Sequence, residues 1–244
     1  MRQRRVEFQR YSGRRRLRIV LAALGIGGSL VVAFTVLHSS ILGVRHLDIS
    51  GSRHVSTAEV RKVLGVGRAT PMVDINVARS ARDLESLPWV SKVVIRREWP
   101  GTLKVLLVGR VAVAQVPDQG GGWAELDATG KVLDHVASPV GGLVKLVGSG
   151  TATAPGSELL GAGPELEVAA GLPSEVRSAV ESVVGEAGGE VDLILPGNGV
   201  IELGLPNHLP AKMQAIATMV SQVDLVGLQT LDVEVPGAPT LTRS

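Results

Sequence analysis

The chain contains no cysteine. That excludes disulfides and thiolate-held metals, so the protein must hold its fold by packing alone. Aromatic residues make up only 2% of it, too few for platforms that stack bases or sugars, which argues against nucleic acid as a partner. Its five histidines are His38, His46, His54, His135 and His208. None stands three or four residues from another, as the metal-binding pattern of a helix requires. There is no Gly-x-Ser-x-Gly elbow to expose a nucleophile. Gly65-Val66-Gly67-Arg68 lacks the Gly-Lys-Ser/Thr ending that reaches phosphate and metal. The carboxylates of the C-terminal half are scattered over strand and turn positions and read as a solvated acidic face. The expectation is a protein without catalysis, cofactor, metal or small-molecule substrate.

What is present is a strong asymmetry of charge. Residues 1–18 hold eight arginines and one glutamate, a net +7. Residues 39–116 carry twelve basic and six acidic residues, and residues 117–244 five basic and sixteen acidic. The basic excess thus begins as a tail beside an apolar run rather than as a groove-lining patch.

That run, residues 19–37, reads IVLAALGIGGSLVVAFTVL and has no charge. At about 1.5 Å per residue it is roughly 28 Å long, close to the hydrocarbon thickness of a bilayer. It is longer than a signal-peptide core, and Leu37-His38-Ser39-Ser40 lacks a small-x-small cleavage site. An uncleaved anchor is expected. Arg14, Arg15, Arg16 and Arg18 precede it directly, which keeps the N-terminus in the cytoplasm and translocates residues 38–244. Gly25, Gly28 and Ser29 form a partial helix-pairing pattern without its regular four-residue spacing.

Beyond the span the spacing predicts a β-α-α-β-β unit. Residues 44–49 alternate, with Leu47 and Ile49 on one face. Ser56-Thr57-Ala58-Glu59 is a capping box, and Val60, Val63 and Leu64 come after it at helical spacing up to Gly65. A second helix over 77–87 places Val77, Ala81 and Leu84 together, and Pro88 closes it. Strands are expected over 90–98 and 102–116, with Trp99-Pro100-Gly101 turning the chain between them.

The rest of the chain reads as mostly antiparallel β. Trp123 to Leu133 is strand, Asp-x-x-Gly turn, strand. Residues 149–164 are rich in Gly, Ala, Thr and Pro and read as a surface loop. Pro173-Ser174 opens a helix to about Val184. Pro196-Gly197-Asn198-Gly199 is a hairpin signal, because Asn and Gly tolerate positive φ. Pro210 to about Val223 is a helix with Met213, Ile216, Ala217 and Val220 on one face. In the last predicted strand Leu231, Val233 and Val235 alternate with Asp232 and Glu234.

The segment LPWVSKVVIRREWPGTLKVLLVGR, together with GVRHLDISGSRHVSTAEV before it, resembles the POTRA domain of the FtsQ/DivIB cell-division family. The order of tail, span, POTRA and β domain resembles it as well, over residues 14–243 and least between 137 and 190. One departure is Gly109-Arg110-Val111-Ala112, where the family often has an acidic residue, arginine, a variable residue and proline. The resemblance implies an α+β protein divided into a basic tail (1–18), a transmembrane helix (19–38), a POTRA domain (43–112), an FtsQ-type β domain (113–236) and a tail (237–244).

It further implies a bitopic divisome scaffold of the cytoplasmic membrane, concentrated at the septum, which links early and late division proteins and controls septal wall synthesis. Its partners would be FtsB/DivIC-type and FtsL-type single-pass proteins, with other divisome proteins on the POTRA domain and the span. In that family the last β strand is the docking edge. Carried onto this chain, that edge is Thr230, Leu231, Asp232, Val233, Glu234 and Val235, with Lys212 beside it. The rival expectation is a POTRA-containing component of outer-membrane biogenesis or secretion, a class that usually joins POTRA repeats to a barrel. The charge split suggests anionic lipid or an acidic partner near residues 39–116 and basic partners for residues 117–244, although solubility accounts for the same charges.

Overall fold

The structure is a computed structural model that describes residues 4–67, 70–222 and 227–243, with side chains from residue 17 onward except residue 40. The side chains of the tail arginines other than Arg18, Arg68 of the Gly65–Arg68 motif and the expected helix end at Val223 lie outside the described residues. The chain divides into two compact units, Met1–Leu84 with Lys92–Leu107, and Glu85–Ser91 with Val108–Ser244.

The first unit opens with α1 (Arg4–Leu37). Within it the 21 residues Leu17–Leu37 form a helix long and apolar enough to cross a membrane, with none of it buried. At about 1.5 Å per residue that stretch is roughly 31 Å long. A short 3₁₀ turn (Ser40–Leu42) leads to β1 (His46–Ser50), α2 (Thr57–Leu64), α3 (Val77–Glu85), β2 (Val90–Glu98) and β3 (Thr102–Gly109). This is the β-α-α-β-β order expected of a POTRA module. The sheet runs β1-β3-β2, and β1 lies parallel to β3 from His46↔Thr102 to Ser50↔Leu106.

Local signals explain these elements. Ser56 caps α2, its hydroxyl accepting the Glu59 N–H at 3.1 Å, and Gly65 closes it in the left-handed region at φ 61°; both supply partners or geometry that the helix ends need. Alternation buries Leu103, Val105 and Leu107 of β3 and Val93 and Ile95 of β2, with Val60 and Leu84 from the helices. Gly51 has φ 107°, and a Cβ there would lie 1.9 Å from the Leu107 carbonyl oxygen. No side chain fits that close approach.

The second unit carries β4 (Ala112–Pro117), β5 (Trp123–Asp127), β6 (Val132–Val136), β7 (Val144–Val147), α4 (Gly163–Gly171), α5 (Ser174–Arg177), β8 (Ser182–Gly185), β9 (Val191–Ile194), β10 (Val200–Gly204), α6 (Leu209–Gln222), β11 (Leu228–Asp232) and β12 (Thr240–Arg243). Its strands build one nine-stranded sheet, ordered β12-β11-β10-β9-β8-β7-β4-β5-β6. α4 packs against β4, β7, β8 and β9, with α6 beside it and α5 against α6. Leu126, Val144, Leu146, Val183, Leu193, Ile201 and Leu231 share one core with Leu166, Val168, Met213 and Ile216 of the helices.

Three expectations change. The strand foreseen over 102–116 is two strands in two sheets. It breaks after Arg110, whose N–H still donates to the Trp89 carbonyl beside β2 at 2.9 Å, and from Ala112 the chain pairs with β5 instead. The helix foreseen from Pro173 to Val184 is the single turn α5, and Ser182–Gly185 form β8 between β7 and β9. β-branched Val183 and Val184 suit that pleated position better than a helix. In the hairpin between β9 and β10 the positive φ falls on Gly197 (89°) and Asn198 (67°). Gly199 is needed for another reason, because a Cβ there would meet the Leu228 carbonyl oxygen at 2.9 Å.

Candidate partner-docking edge

Hydrogen-bonding capacity in a sheet protein is left open at its edges. The second unit has two, β6 and β12. β6 is met at its first residue, Val132, by the 149–162 loop. Val132 N–H donates to the Ser157 carbonyl at 2.9 Å, Gly156 N–H donates to the Val132 carbonyl at 2.8 Å, and Lys131 bridges Glu158. β12 has β11 on one side and no described strand on the other.

The topology arises from the connection between β10 and β11. α6 returns the chain so that β11 lies parallel to β10, with Val200↔Thr230 and Glu202↔Asp232 in register. Parallel neighbours need such a crossover. β11 ends because the Asp232 carboxylate accepts the Glu234 N–H at 2.9 Å, a local turn that competes with the strand. Val233 N–H still reaches the Glu202 carbonyl at 2.9 Å, and Ala238 N–H closes onto the Val235 carbonyl at 3.0 Å. The chain then returns as β12, antiparallel to β11 from Asp232↔Thr240 to Leu228↔Arg243.

The expected edge at 230–235 is therefore corrected. Thr230, Leu231 and Asp232 lie between two neighbours, Val233 is fully buried, Glu234 and Val235 are exposed in the turn, and the open backbone belongs to Thr240, Leu241 and Thr242 of β12. Leu231 and Val233 share one face as expected, and it is buried. Val235 does not, being 65% exposed. The stretch expected as a tail holds the outermost strand.

Lys212 is corrected too. Its side chain is 2% exposed, and Nζ donates to the carbonyls of Leu203 at 2.7 Å and Leu205 at 2.8 Å. The ammonium thus ties α6 to the end of β10 and has no free face for a partner. On the other side of α6, Ala211, Gln214, Ala215 and Thr218 face Pro236 and Pro239 across a shallow groove of about 450 Å³.

The face of the sheet beside this edge is acidic. Asp192, Glu202 and Asp232 occupy one register across β9, β10 and β11. Burial first, then the charges of Glu202 and Glu186, push the Asp192 carboxyl above its ordinary value. Like charges directly opposite destabilise a ladder, so this row is held in place by the core beneath it. Among the described residues no group of three or more His, Asp or Glu could hold a metal. The row therefore offers charge without a metal-binding geometry.

Sequence reasoning also missed Arg110 and Asp127. Arg110 Nη1 lies 2.6 Å from Asp127 Oδ2, and Arg110 Nε donates to the Val90 carbonyl at 3.2 Å. Asp127 Oδ1 in turn accepts from Thr129 N at 2.8 Å and Lys131 N at 3.0 Å. The signal was the Asp-x-x-Gly turn itself, whose aspartate serves as a hub.

Comparison with known proteins matches residues 42–110 to the FtsQ-type POTRA domain and residues 114–234 to the C-terminal domain of cell division protein FtsQ/DivIB. Cell division protein FtsQ of Streptomyces collinus is 28% identical over 246 positions, covering 96% of this chain and 92% of that protein. FtsQ of Mycolicibacterium smegmatis is 24% identical, covering 91% of this chain and 62% of that protein. Cell division protein DivIB of Staphylococcus aureus is 33% identical over 82 residues, 34% of this chain and 19% of that protein.

Proposed function

The chain belongs to the FtsQ/DivIB family of cell-division proteins, and from that premise we propose that it is a non-enzymatic scaffold of the divisome. In this reading α1 anchors it in the cytoplasmic membrane with the arginine-rich tail inside, and the two folded units lie outside, at the septum. There it captures FtsB/DivIC-type and FtsL-type single-pass proteins, and through them links early and late division proteins and controls septal wall synthesis.

One observation carries the reading: of the two described sheet edges in the second unit, β6 is met by a loop at its first residue and β12 has no described strand beyond it. A partner segment adds to such an edge as a further strand, with main-chain bonds for affinity and side-chain pockets for choice. The groove beside α6 and the acidic row across β9–β11 favour a partner whose docking segment is basic and partly apolar.

The test is co-purification of the full chain with candidate division partners, using proline at 241 and at 242. Residues in an antiparallel strand alternate which neighbour their N–H serves. One of Leu241→Pro and Thr242→Pro removes an outward donor and leaves the β11 pairing whole. That variant is expected to lose capture while melting as the unaltered protein does. Capture by both variants at full yield removes the β12 mechanism.

A further inference from the structure

Three segments meet where the membrane-length helix runs into the first unit. Met72 N–H donates to the Leu42 carbonyl at 3.2 Å, and Val44 N–H to the Thr70 carbonyl at 2.9 Å. Arg45 and His46 N–H both donate to the Gly101 carbonyl, at 2.8 and 3.1 Å. The 70–72 segment and the β2–β3 turn are therefore pinned to residues 42–46, at the end of the 3₁₀ turn. Arg45 ties the β2–β3 turn to that entry a second time. Its guanidinium donates to the Ile41 carbonyl at 2.9 Å, and its Cγ and Cδ lie 3.3 Å from where a Cβ on Gly101 would stand. In this surface Ile41 is 63% exposed and Trp99 50%. We propose that Trp99 and Ile41 form an interfacial foot, by which the first unit rests in the headgroup layer of the bilayer that α1 crosses.

The depth follows from lengths. Leu17–Leu37 is long enough to fill the hydrocarbon. Beyond it the chain stays coiled: His38 N–H donates to the Phe34 carbonyl at 3.1 Å, Ser39 N–H to the Val36 carbonyl at 3.2 Å and Leu42 N–H to the Ser39 carbonyl at 3.2 Å. A coiled chain advances about 1.5–2 Å per residue, which puts Ile41 roughly 6–8 Å beyond Leu37. The headgroup layer is about 5–7 Å deep on each side of the hydrocarbon. Ile41 and the turn that Arg45 holds beside it thus fall at the level of that layer. Tryptophan suits the position, with an apolar body and one N–H, and is enriched at membrane–water interfaces. Of the three tryptophans only Trp99 is exposed, while Trp89 and Trp123 are half-buried.

Arginine rims this surface. Arg45 and Arg97 are both exposed, and arginine lays its methylenes on apolar surface while its guanidinium stays among polar groups. The carboxylates nearby have cationic neighbours. Glu98 Oε1 lies 3.0 Å from Lys104 Nζ, and Asp48 Oδ2 lies 4.0 Å from the same ammonium. With the charges near balance, burial of Trp99 and Ile41 holds the foot, and a neutral phosphatidylcholine surface suffices. A helix alone leaves the folded unit free to swing on its connection; helix and foot together fix its tilt on the membrane. The inference rests on α1 being the anchor, as proposed above.

The test uses the full chain in phosphatidylcholine nanodiscs, either plain or brominated near the headgroup end of the acyl chains, since bromine quenches a tryptophan that it touches. Tryptophan emission of the unaltered chain is expected to fall in the brominated discs. Trp99→Ala should lose most of that fall while melting as the unaltered protein does. Trp89→Phe combined with Trp123→Phe leaves Trp99 as the one tryptophan and should raise the quenched fraction. Equal emission of the unaltered chain in the two kinds of disc, with the chain retained on both, overturns the foot. So does a fall that Trp99→Ala leaves undiminished. Protection of Trp99 from aqueous iodide without bromine quenching identifies a protein cover, such as a second copy of the chain, and also overturns it. A chain that alkaline buffer washes off the discs overturns the anchor and the foot together, so retention tells the two failures apart.

Discussion

Arg110 Nη1 and Asp127 Oδ2 stand 2.6 Å apart, with 18% and 7% of their side chains exposed. Around that pair three segments meet inside the second unit: the Trp89–Val90 carbonyls, the start of β4 and the turn between β5 and β6. Removing one partner leaves the other charge poorly solvated, which costs more than the pair itself contributes.

Arg110→Ala is expected to destabilise the protein by about 2–3 kcal/mol, and Asp127→Ala by as much, with the double variant well short of the sum. Urea unfolding of the four proteins of the cycle measures it. The pair also gives a pH dependence. Burial raises the Asp127 carboxyl, and the Thr129 hydroxyl, the Arg110 guanidinium and two backbone N–H groups outweigh it, leaving it below its ordinary value. An aspartate held low in the folded state adds stability above its unfolded pKa and loses it as pH falls through the folded one. The gap between the unaltered protein and Asp127→Ala should therefore narrow as the solution is acidified below the ordinary carboxylate range. A gap that stays constant there contradicts the assignment.

Asp192 gives the opposite sign. Its carboxyl is held high, by burial first and by Glu202 and Glu186 after it, so its ionisation costs folded-state stability. That cost is absent below the unfolded carboxylate pKa and complete above the raised folded one. Asp192→Asn should melt higher than the unaltered protein at pH 7 and lose its advantage in acid. Equal melting temperatures at neutral pH would show that the row from Asp192 to Asp232 carries no strain.

Several elements were legible because a single residue type at a single offset forces them. Ser56 three residues before Glu59, proline and glycine between β2 and β3, and the 197–199 hairpin are local events with local causes. The outer strand β12 is not of that kind. Thr240-Leu241-Thr242-Arg243 is too short for a periodic signal, and it becomes a strand only because the 233–239 turn returns it to β11. β8 was hidden for the same reason: Val183 and Val184 come after a helix signal, and only neighbours on both sides make them a strand. Lys212 was misread on its helix because lysine is ordinarily a surface residue. Its burial depends on where the carbonyls of β10 end, which spacing along α6 does not contain.

Truncation after Val235 should separate the two candidate edges. Removing 236–244 takes away β12 and bares β11, whose Thr230, Leu231 and Asp232 then become the outermost backbone. If partners dock on β12, the truncated chain loses capture although its core of Leu231, Val233, Ile201 and Met213 remains. Undiminished capture by the truncated chain would move the docking strand back to β11 and make β12 a cover that partners displace. Thermal unfolding read beside the capture assay excludes a trivial loss of fold.

Lys212 tests whether the region around α6 acts by contact or by support. Lys212→Ala deletes two charge-assisted hydrogen bonds, leaves the Leu203 and Leu205 carbonyls without that donor and opens a cavity, for an expected loss of about 3–4 kcal/mol. Lys212→Met keeps most of the volume and loses only the bonds, for about 2 kcal/mol. Because Nζ faces inward, partner capture by Lys212→Met should match the unaltered protein at temperatures well below its own melting point, and fail only where the domain itself unfolds. Weaker capture by a fully folded Lys212→Met would place the ammonium in the docking interface and require α6 to shift when the partner binds.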